Sequence, residues 1–273
     1  MSRRLRLDAE LVRRGLARSR DHAASLITDG RVLVAGAKAS KPATQITTDQ
    51  AIVVKDGDGP TWASRGAYKL LGALEAFEPQ GLTVADRRCL DAGASTGGFT
   101  DVLLRRGARE VVAVDVGYGQ LVWSLQSDPR VTVMDRTNVR HLTVDDIGTP
   151  VSLVVSDLSF ISLTVVMPAL TGVTDPEGDI VLMIKPQFEV GRAQLGKNGV
   201  VRDPELHAEA VLQVCRSAHR NGWGTRGLAP SPLPGPAGNV EYFCWLRTDA
   251  AEPEVQAAHE VVAAGPLMRG ATS

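Results

Sequence analysis

The stretch Leu90-Asp91-Ala92-Gly93-Ala94-Ser95-Thr96-Gly97-Gly98-Phe99-Thr100 governs the reading of this chain, because a run ending in an acid passes directly into a glycine-rich turn. The apolar lead-in predicts a buried parallel strand, and the glycines let the backbone turn sharply and approach a ligand before a helix opens between Gly97 and Gly107. The spacing is D-x-G-x-x-x-G-G rather than the GxGxxG of dinucleotide binders. A second strand, Val111 to Asp115, puts an acid twenty-four positions after Asp91, where a carboxylate can accept both hydroxyls of a ribose. Two more strands, Val131 to Asp135 and Val151 to Asp157, also end in carboxylates. One such acid is as readily a helix cap as a ligand. Four in series predict an α/β, doubly wound domain with a ligand crevice at the strand ends.

The loop offers hydroxyls and no cation, whereas a diphosphate calls for free amides and often a Lys or Arg. An acid-rimmed crevice suits a positively charged cofactor without phosphate, and S-adenosyl-L-methionine is one. The chain has 273 residues, 44% of them hydrophobic, enough for one large domain and a small one. Its apolar runs are strand-sized and broken by charge, so neither a membrane span nor a secretory leader is expected, and a cytoplasmic location is. Cys89, Cys215 and Cys244 lie far apart without CxxC pairing, and the five histidines lack ligand spacing, so no metal is expected. Ser159 and Ser162 have no partnered His and Asp, which argues against serine hydrolysis.

The net charge of -1 hides an asymmetry: residues 1–41 carry ten Lys or Arg against four acids, and the remainder twenty against twenty-seven. Such a basic end predicts a polyanion-binding appendage. There Asp8 is expected to cap a short helix ending at Gly15, and Ser19 a second ending at Gly30, with Arg13, Arg14, Arg18 and Arg20 exposed between them and a strand at Arg31 to Val34. Asp56-Gly57-Asp58-Gly59-Pro60 reads as linker sequence with the domain boundary close to it, and the boundaries are set at 1–59 for this domain, 60–65 for the interdomain link and 66–273 for the body. In the body, a helix carrying Tyr68, Lys69, Leu70 and Leu74 precedes the first core strand. After the fourth strand come a helix at 164–170, the strand Ile180 to Ile184, a long loop, a helix at 204–218, two final strands at 223–228 and 240–246, and a frayed tail from Gly265.

The glycine loop resembles the class I methyltransferase pattern. The whole chain resembles the TlyA family of ribosomal RNA 2'-O-methyltransferases, which joins an S4 domain to an FtsJ/RrmJ-like body. The likeness rests on that loop, on Ser156-Asp157-Leu158-Ser159, on Met183-Ile184-Lys185-Pro186-Gln187-Phe188-Glu189, and on the N-terminal text Arg6-Leu7-Asp8, Leu11 to Arg20, Ala24 to Ile27, Gly30 and Lys41-Pro42. It implies a Rossmann-like fold, a seven-stranded, mostly parallel sheet with helices on both faces, behind a small α+β S4-like RNA-binding domain. It also implies a catalytic tetrad of Lys69, Asp157, Lys185 and Glu241, with cytidines of the small and large subunit RNAs as targets. Lys185 closes an apolar strand, so burial and a neighbouring positive charge favour its neutral amine as a base. Lys69 would supply that charge and contact the nucleotide, Asp157 would orient Lys185, and Glu241 would hold Lys69 and the ribose.

For the cofactor, Asp91, Gly93, Ala94, Thr96, Gly97 and Phe99 are expected around the methionine portion with Asp157, Asp115 at the ribose, and Asp135 with Asn138 at the adenine edge. The RNA-binding candidates are Arg3, Arg4, Arg6, Arg14, Arg18, Arg20, Lys38, Lys41 and Arg65. Aromatic residues make up only 4%, so contact with RNA should lean on Arg, Lys and shape, with Tyr68 and Phe188 as stacking exceptions. The expected partners are ribosomal RNA or ribosomal subunits, no membrane is expected, and nothing calls for more than a monomer. The fourth-strand string Ser156-Asp157-Leu158-Ser159-Phe160 departs from the Asn/Asp-Pro-Pro-aromatic motif of amino methylation. Three other readings stay open: a hemolysin-like membrane-active protein, a non-catalytic RNA-binding assembly factor, and methylation of a base.

Overall fold

The computed structural model describes residues 4–17, 19–55, 62–196, 199–235 and 237–265, and the chain separates into two compact units, Met1–Arg65 and Gly66–Ser273. Arg3, Arg18, the Asp56–Pro60 linker and the tail beyond Gly265 lie outside the described residues.

The first unit runs β1 (Arg4–Arg6), α1 (Leu7–Arg13), α2 (Arg20–Thr28), β2 (Val32–Val34), β3 (Ala37–Lys38), β4 (Gln45–Thr47) and β5 (Ile52–Val54). β1 pairs antiparallel with β4, and β2 lies between β3 and β5 in a second small sheet. Its core is Leu7, Leu11, Ala23, Leu26, Ile27, Val32 and Ile46. Ser19 caps α2 by accepting from His22 N at 3.1 Å. The first helix departs from expectation: it starts at Leu7, and Asp8 lies inside its first turn, bound to Ala9 N and to the guanidinium groups of Arg6 and Arg20. Arg14 also departs, being half-buried rather than exposed. Glu10 is fully buried and needs compensation, so Arg14 Nε pairs with it at 2.7 Å while Nη1 and Nη2 donate to the carbonyls of Gln50 and Thr48. That guanidinium is spent within the unit and is withdrawn from the RNA-facing set.

The second unit runs α3 (Ala67–Phe77), β6 (Arg88–Ala92), α4 (Gly98–Arg105), β7 (Glu110–Val114), α5 (Trp123–Gln126), β8 (Val131–Met134), α6 (Val144–Ile147), β9 (Val151–Ser156), α7 (Leu163–Gly172), β10 (Thr174–Ile184), α8 (Pro186–Glu189), α9 (Pro204–Arg220), β11 (Gly224–Pro230), β12 (Tyr242–Arg247) and α10 (Val255–Ala264). The sheet order is β11-β12-β10-β9-β6-β7-β8, parallel throughout except that β12 is antiparallel to both its neighbours. The chain therefore winds outward from β6 to β8, then returns to β9 and winds the other way. Right-handed crossovers place the helices of the two halves on opposite faces. The reversal leaves the carboxyl ends of β6 and β9 beside each other as the switch point, where α/β sheets of this kind bind ligands.

The centres of β6 and β9 and the Ile180–Ile184 half of β10 are buried apolar runs because they are covered on both faces. Several elements exceed the sequence expectation: β10 begins six residues earlier than Ile180, the short helices α5, α6 and α8 fall where loops are expected, and α10 adds a C-terminal helix whose Ala258, Val261 and Val262 join the core.

Candidate active site

The glycine loop is fastened to its neighbours through backbone groups. Gly93 N and Ala94 N both donate to Val114 O, at 2.8 and 3.1 Å, and Asp157 N donates to Ala92 O at 3.1 Å. Gly93 has φ +92°, and a Cβ there would stand 2.7 Å from the carbonyl oxygen of Asp157, so only glycine lets the loop lie against the end of β9. Gly97 has φ +100°, and a Cβ would enter the side chains of Leu121 and Leu125. Asp91 at the end of β6 is wholly buried: its Oδ2 accepts from Thr100 Oγ1 at 2.7 Å, while Oδ1 has no partner. Burial, with smaller repulsions from Asp157 and Asp115, pushes the Asp91 carboxyl up to about 7.

Asp115 accepts from Ser95 N at 2.8 Å and Gly117 N at 2.7 Å, one bond to each oxygen, which leaves each with further acceptor capacity. Asp135 accepts from Gly119 N at 2.9 Å, and Asn138 Oδ1 caps a short 3-10 turn through Arg140 N at 3.0 Å. The two acids shape the loop of residues 116–119 between them. Phe99 departs from expectation: its ring is buried against Phe243, at 6.3 Å between centroids, because α4 turns that face into the core. It offers the crevice no side-chain surface.

The four residues of the expected tetrad come together along one sheet edge as two ion pairs. Lys185 Nζ lies 2.6 Å from Asp157 Oδ1, and Lys69 Nζ lies 2.5 Å from Glu241 Oε2. The sheet register explains the proximity. The last paired residues of β10 and β12 are Ile184 and Tyr242, so Lys185 and Glu241 are the next pair in register, and Asp157 ends the strand on the other side of β10. Lys69, on α3, is brought in by the β11–β12 loop. Gly72, one turn along α3, sits against Pro232, where a Cβ would meet the ring at 2.6 Å, and Gly235 leaves room for Glu241 Oε1 in the same way. Lys69, Lys185 and Glu241 are 9%, 7% and 1% exposed, so the Lys69–Glu241 pair is held largely out of water, where charge interactions are strong, whereas the Asp157 carboxylate that pairs with Lys185 is partly exposed.

The S4 domain family matches residues 5–52 and the FtsJ-like methyltransferase family matches residues 62–248. The chain belongs to the FtsJ-like methyltransferase family. Among its relatives, the 16S/23S rRNA (cytidine-2'-O)-methyltransferase TlyA of Mycobacterium tuberculosis is 58% identical over 97% of this chain and all of that protein. Hemolysin A of Brachyspira hyodysenteriae is 36% identical over 88% of this chain and 98% of its own. A solved structure from Streptococcus thermophilus, provisionally labelled a hemolysin, aligns with a TM-score of 0.76 at 38% identity, covering 97% of this chain and 96% of that one.

In this FtsJ-like methyltransferase, three residues outside the expected set complete the site. Ser159 Oγ accepts from Lys185 Nζ at 2.8 Å, a contact that its place in the Ser156 to Ser159 motif does not announce. Glu189 is buried and accepts from Leu163 N at 2.8 Å and Ser162 Oγ at 2.6 Å, which ties the start of α7 to the segment after Lys185. Burial pushes its carboxyl upward. Asn239 accepts from Val201 N at 3.0 Å and anchors the loop before α9 just ahead of Glu241. The signals for Glu189 and Ser159 are their places in the Lys185 to Glu189 and Ser156 to Ser159 strings, whereas Asn239 carries none beyond its closeness to Glu241. Arg4, Arg6, Arg20, Lys38, Lys41 and Arg65 are exposed on the first unit, and Arg6 and Arg20 share Asp8.

Proposed function

We propose that this chain transfers a methyl group from S-adenosyl-L-methionine to the ribose 2'-hydroxyl of cytidine in ribosomal RNA, of the small subunit, the large subunit or both. The observation that carries the reading is the meeting of two lysine–carboxylate pairs, both with buried lysines, on one sheet edge beside a glycine loop. The crevice fits the cofactor by three tests. Asp91 Oδ1 is a buried acceptor without a partner, Gly93 and Gly97 have no room for a side chain, and Asp115 keeps acceptor capacity for a diol. Asp91, Gly93, Ala94, Thr96 and Gly97 would hold the methionine portion with Asp157, Asp115 the ribose, and Asp135 with Asn138 the adenine edge. When bound, the cofactor supplies an electrophilic methyl group on a sulfonium.

The chain's own residues do the rest. Lys185 takes the proton of the 2'-hydroxyl as general base, with Asp157 fixing its direction. Lys69 and Glu241 hold the nucleotide: the ammonium offers hydrogen bonds and positive charge to the oxygen as negative charge develops there, and the carboxylate keeps the ammonium in place. The basic first unit holds structured RNA, and the relatives named as rRNA methyltransferases support ribosomal RNA as the partner. This reading places the enzyme in the cytoplasm with its substrate. No helix among the described residues is long and apolar enough to cross a membrane, so the hemolysin names of some relatives find no support there.

Lys185→Ala assayed with labelled cofactor and ribosomal subunits should lose about 10²–10⁴-fold in kcat, the usual contribution of a positioned base. Nucleoside mass spectrometry of the RNA should show 2'-O-methylcytidine. Full activity in the variant removes the base, and a methyl group on the ring moves the chemistry off the ribose.

A further inference from the structure

We infer that Ser159 is a positioning residue for Lys185 and determines, with Asp157, where the lone pair of the amine points. The inference rests on the reaction proposed above. The lysine nitrogen has four tetrahedral directions. One is the bond to Cε, a second meets Asp157 Oδ1 at 2.6 Å, and a third meets Ser159 Oγ at 2.8 Å. A single direction is left. In the neutral amine the two remaining N–H bonds go to those two acceptors, and the lone pair takes the fourth direction. With Asp157 alone, rotation about the Cε–Nζ bond would spread the lone pair over two directions, only one of them productive.

The segment that carries Ser159 is built to hold it. At one end Asp157 N is bound to Ala92 O, and at the other Glu189 holds Leu163 N and Ser162 Oγ. Glu189 follows Lys185 by four residues, so one short stretch carries both the amine and the anchor of the loop opposite it. Between the two anchors, Phe160 has φ +64°, a left-handed conformation that a non-glycine residue adopts only when its surroundings impose it. That turn comes one residue after Ser159. In the proton transfer the ribose O–H bond breaks and an N–H bond forms on Lys185. Ser159 keeps its own proton throughout and acts only as acceptor, and Lys185 afterwards releases the captured proton to solvent.

Ser159→Ala and Ser159→Thr, each in the full chain, test this with ribosomal subunits and labelled cofactor. Ser159 is exposed, so neither substitution should unfold the protein, and thermal melts check this. In Ser159→Ala, kcat should fall about tenfold, the upper end of what one hydrogen bond between neutral groups contributes, with the KM for cofactor and RNA unchanged. Ser159→Thr, which keeps the hydroxyl, should recover most of the rate. An unchanged kcat in Ser159→Ala while the parent is active overturns the inference, as does a loss in both variants that tracks cofactor KM, because the loop would then act only as scaffold. An inactive parent chain overturns the reaction and this inference together.

Discussion

Asp91 stands at the floor of the crevice in an environment that opposes its charge, which makes it the residue where pH should be felt. Its carboxyl, raised to about 7 chiefly by burial, lies well above the ordinary 3.8. Between those values the folded chain holds a proton that the unfolded chain has released, so stability falls as pH rises from about 4 to 7 and stays reduced above that. Asp91→Asn keeps an acceptor for Thr100 and removes the penalty. Its Tm should exceed that of the parent at pH 8, by an amount corresponding to a few kcal/mol at most, and converge with it near pH 4. A difference independent of pH would show that the carboxyl is not raised. Cofactor affinity carries the opposite sign. A cation seated at Oδ1 favours the carboxylate, so titration calorimetry should find binding weakening as pH falls below 7 and protons released on binding near neutrality.

At the level of elements, the catalytic edge depends on one loop packing on one helix. The β11–β12 loop reaches α3 through Pro232 on Gly72, and the same loop bends at Gly235 over Glu241. Gly72→Ala inserts a methyl 2.6 Å from the proline ring and should displace the loop, loosening Lys69 from Glu241. We expect a loss of kcat, and a loss of stability of about 1–3 kcal/mol as in other overpacked sites. Adding Pro232→Gly should return part of both, and additivity of the two changes would show that they do not communicate. Much of this edge was legible in the chain. An acid-ended strand followed by a glycine turn marks a strand–loop–helix crevice, and the Lys185 to Glu189 string follows an apolar run whose burial is forced. What stayed hidden depends on partners distant in sequence. β1 is three residues, Arg-Leu-Arg, and becomes a strand only because residues 45–47 pair with it. Ser159 is a loop hydroxyl whose partner is twenty-six residues away. The fates of Arg14 and Phe99 likewise turned on distant groups: the carbonyls of Gln50 and Thr48, which take the Arg14 guanidinium beyond its helical neighbour Glu10, and the ring of Phe243.

Over the whole molecule, charge and chemistry are divided between the two units: ten of the thirty Lys and Arg fall in the first 41 residues, while the lysines of the tetrad lie in the second unit. Binding to RNA and binding to cofactor should therefore be separable by mutation. Arg4 and Lys41 are the sites for the test, because both are exposed, whereas Arg6 and Arg20 also hold the buried Asp8, whose carboxyl those guanidinium groups keep well below the usual range. Reversing either of that second pair would disturb the fold as well as the surface. Arg4→Glu with Lys41→Glu should weaken binding to ribosomal RNA, and the slope of log K against log salt should fall by about one for each phosphate no longer neutralised. Cofactor affinity and Tm should match the parent. A binding defect that does not change with salt would mean that the two side chains read shape rather than phosphate. An equal fall in cofactor affinity would mean that the basic unit and the crevice act as a single site.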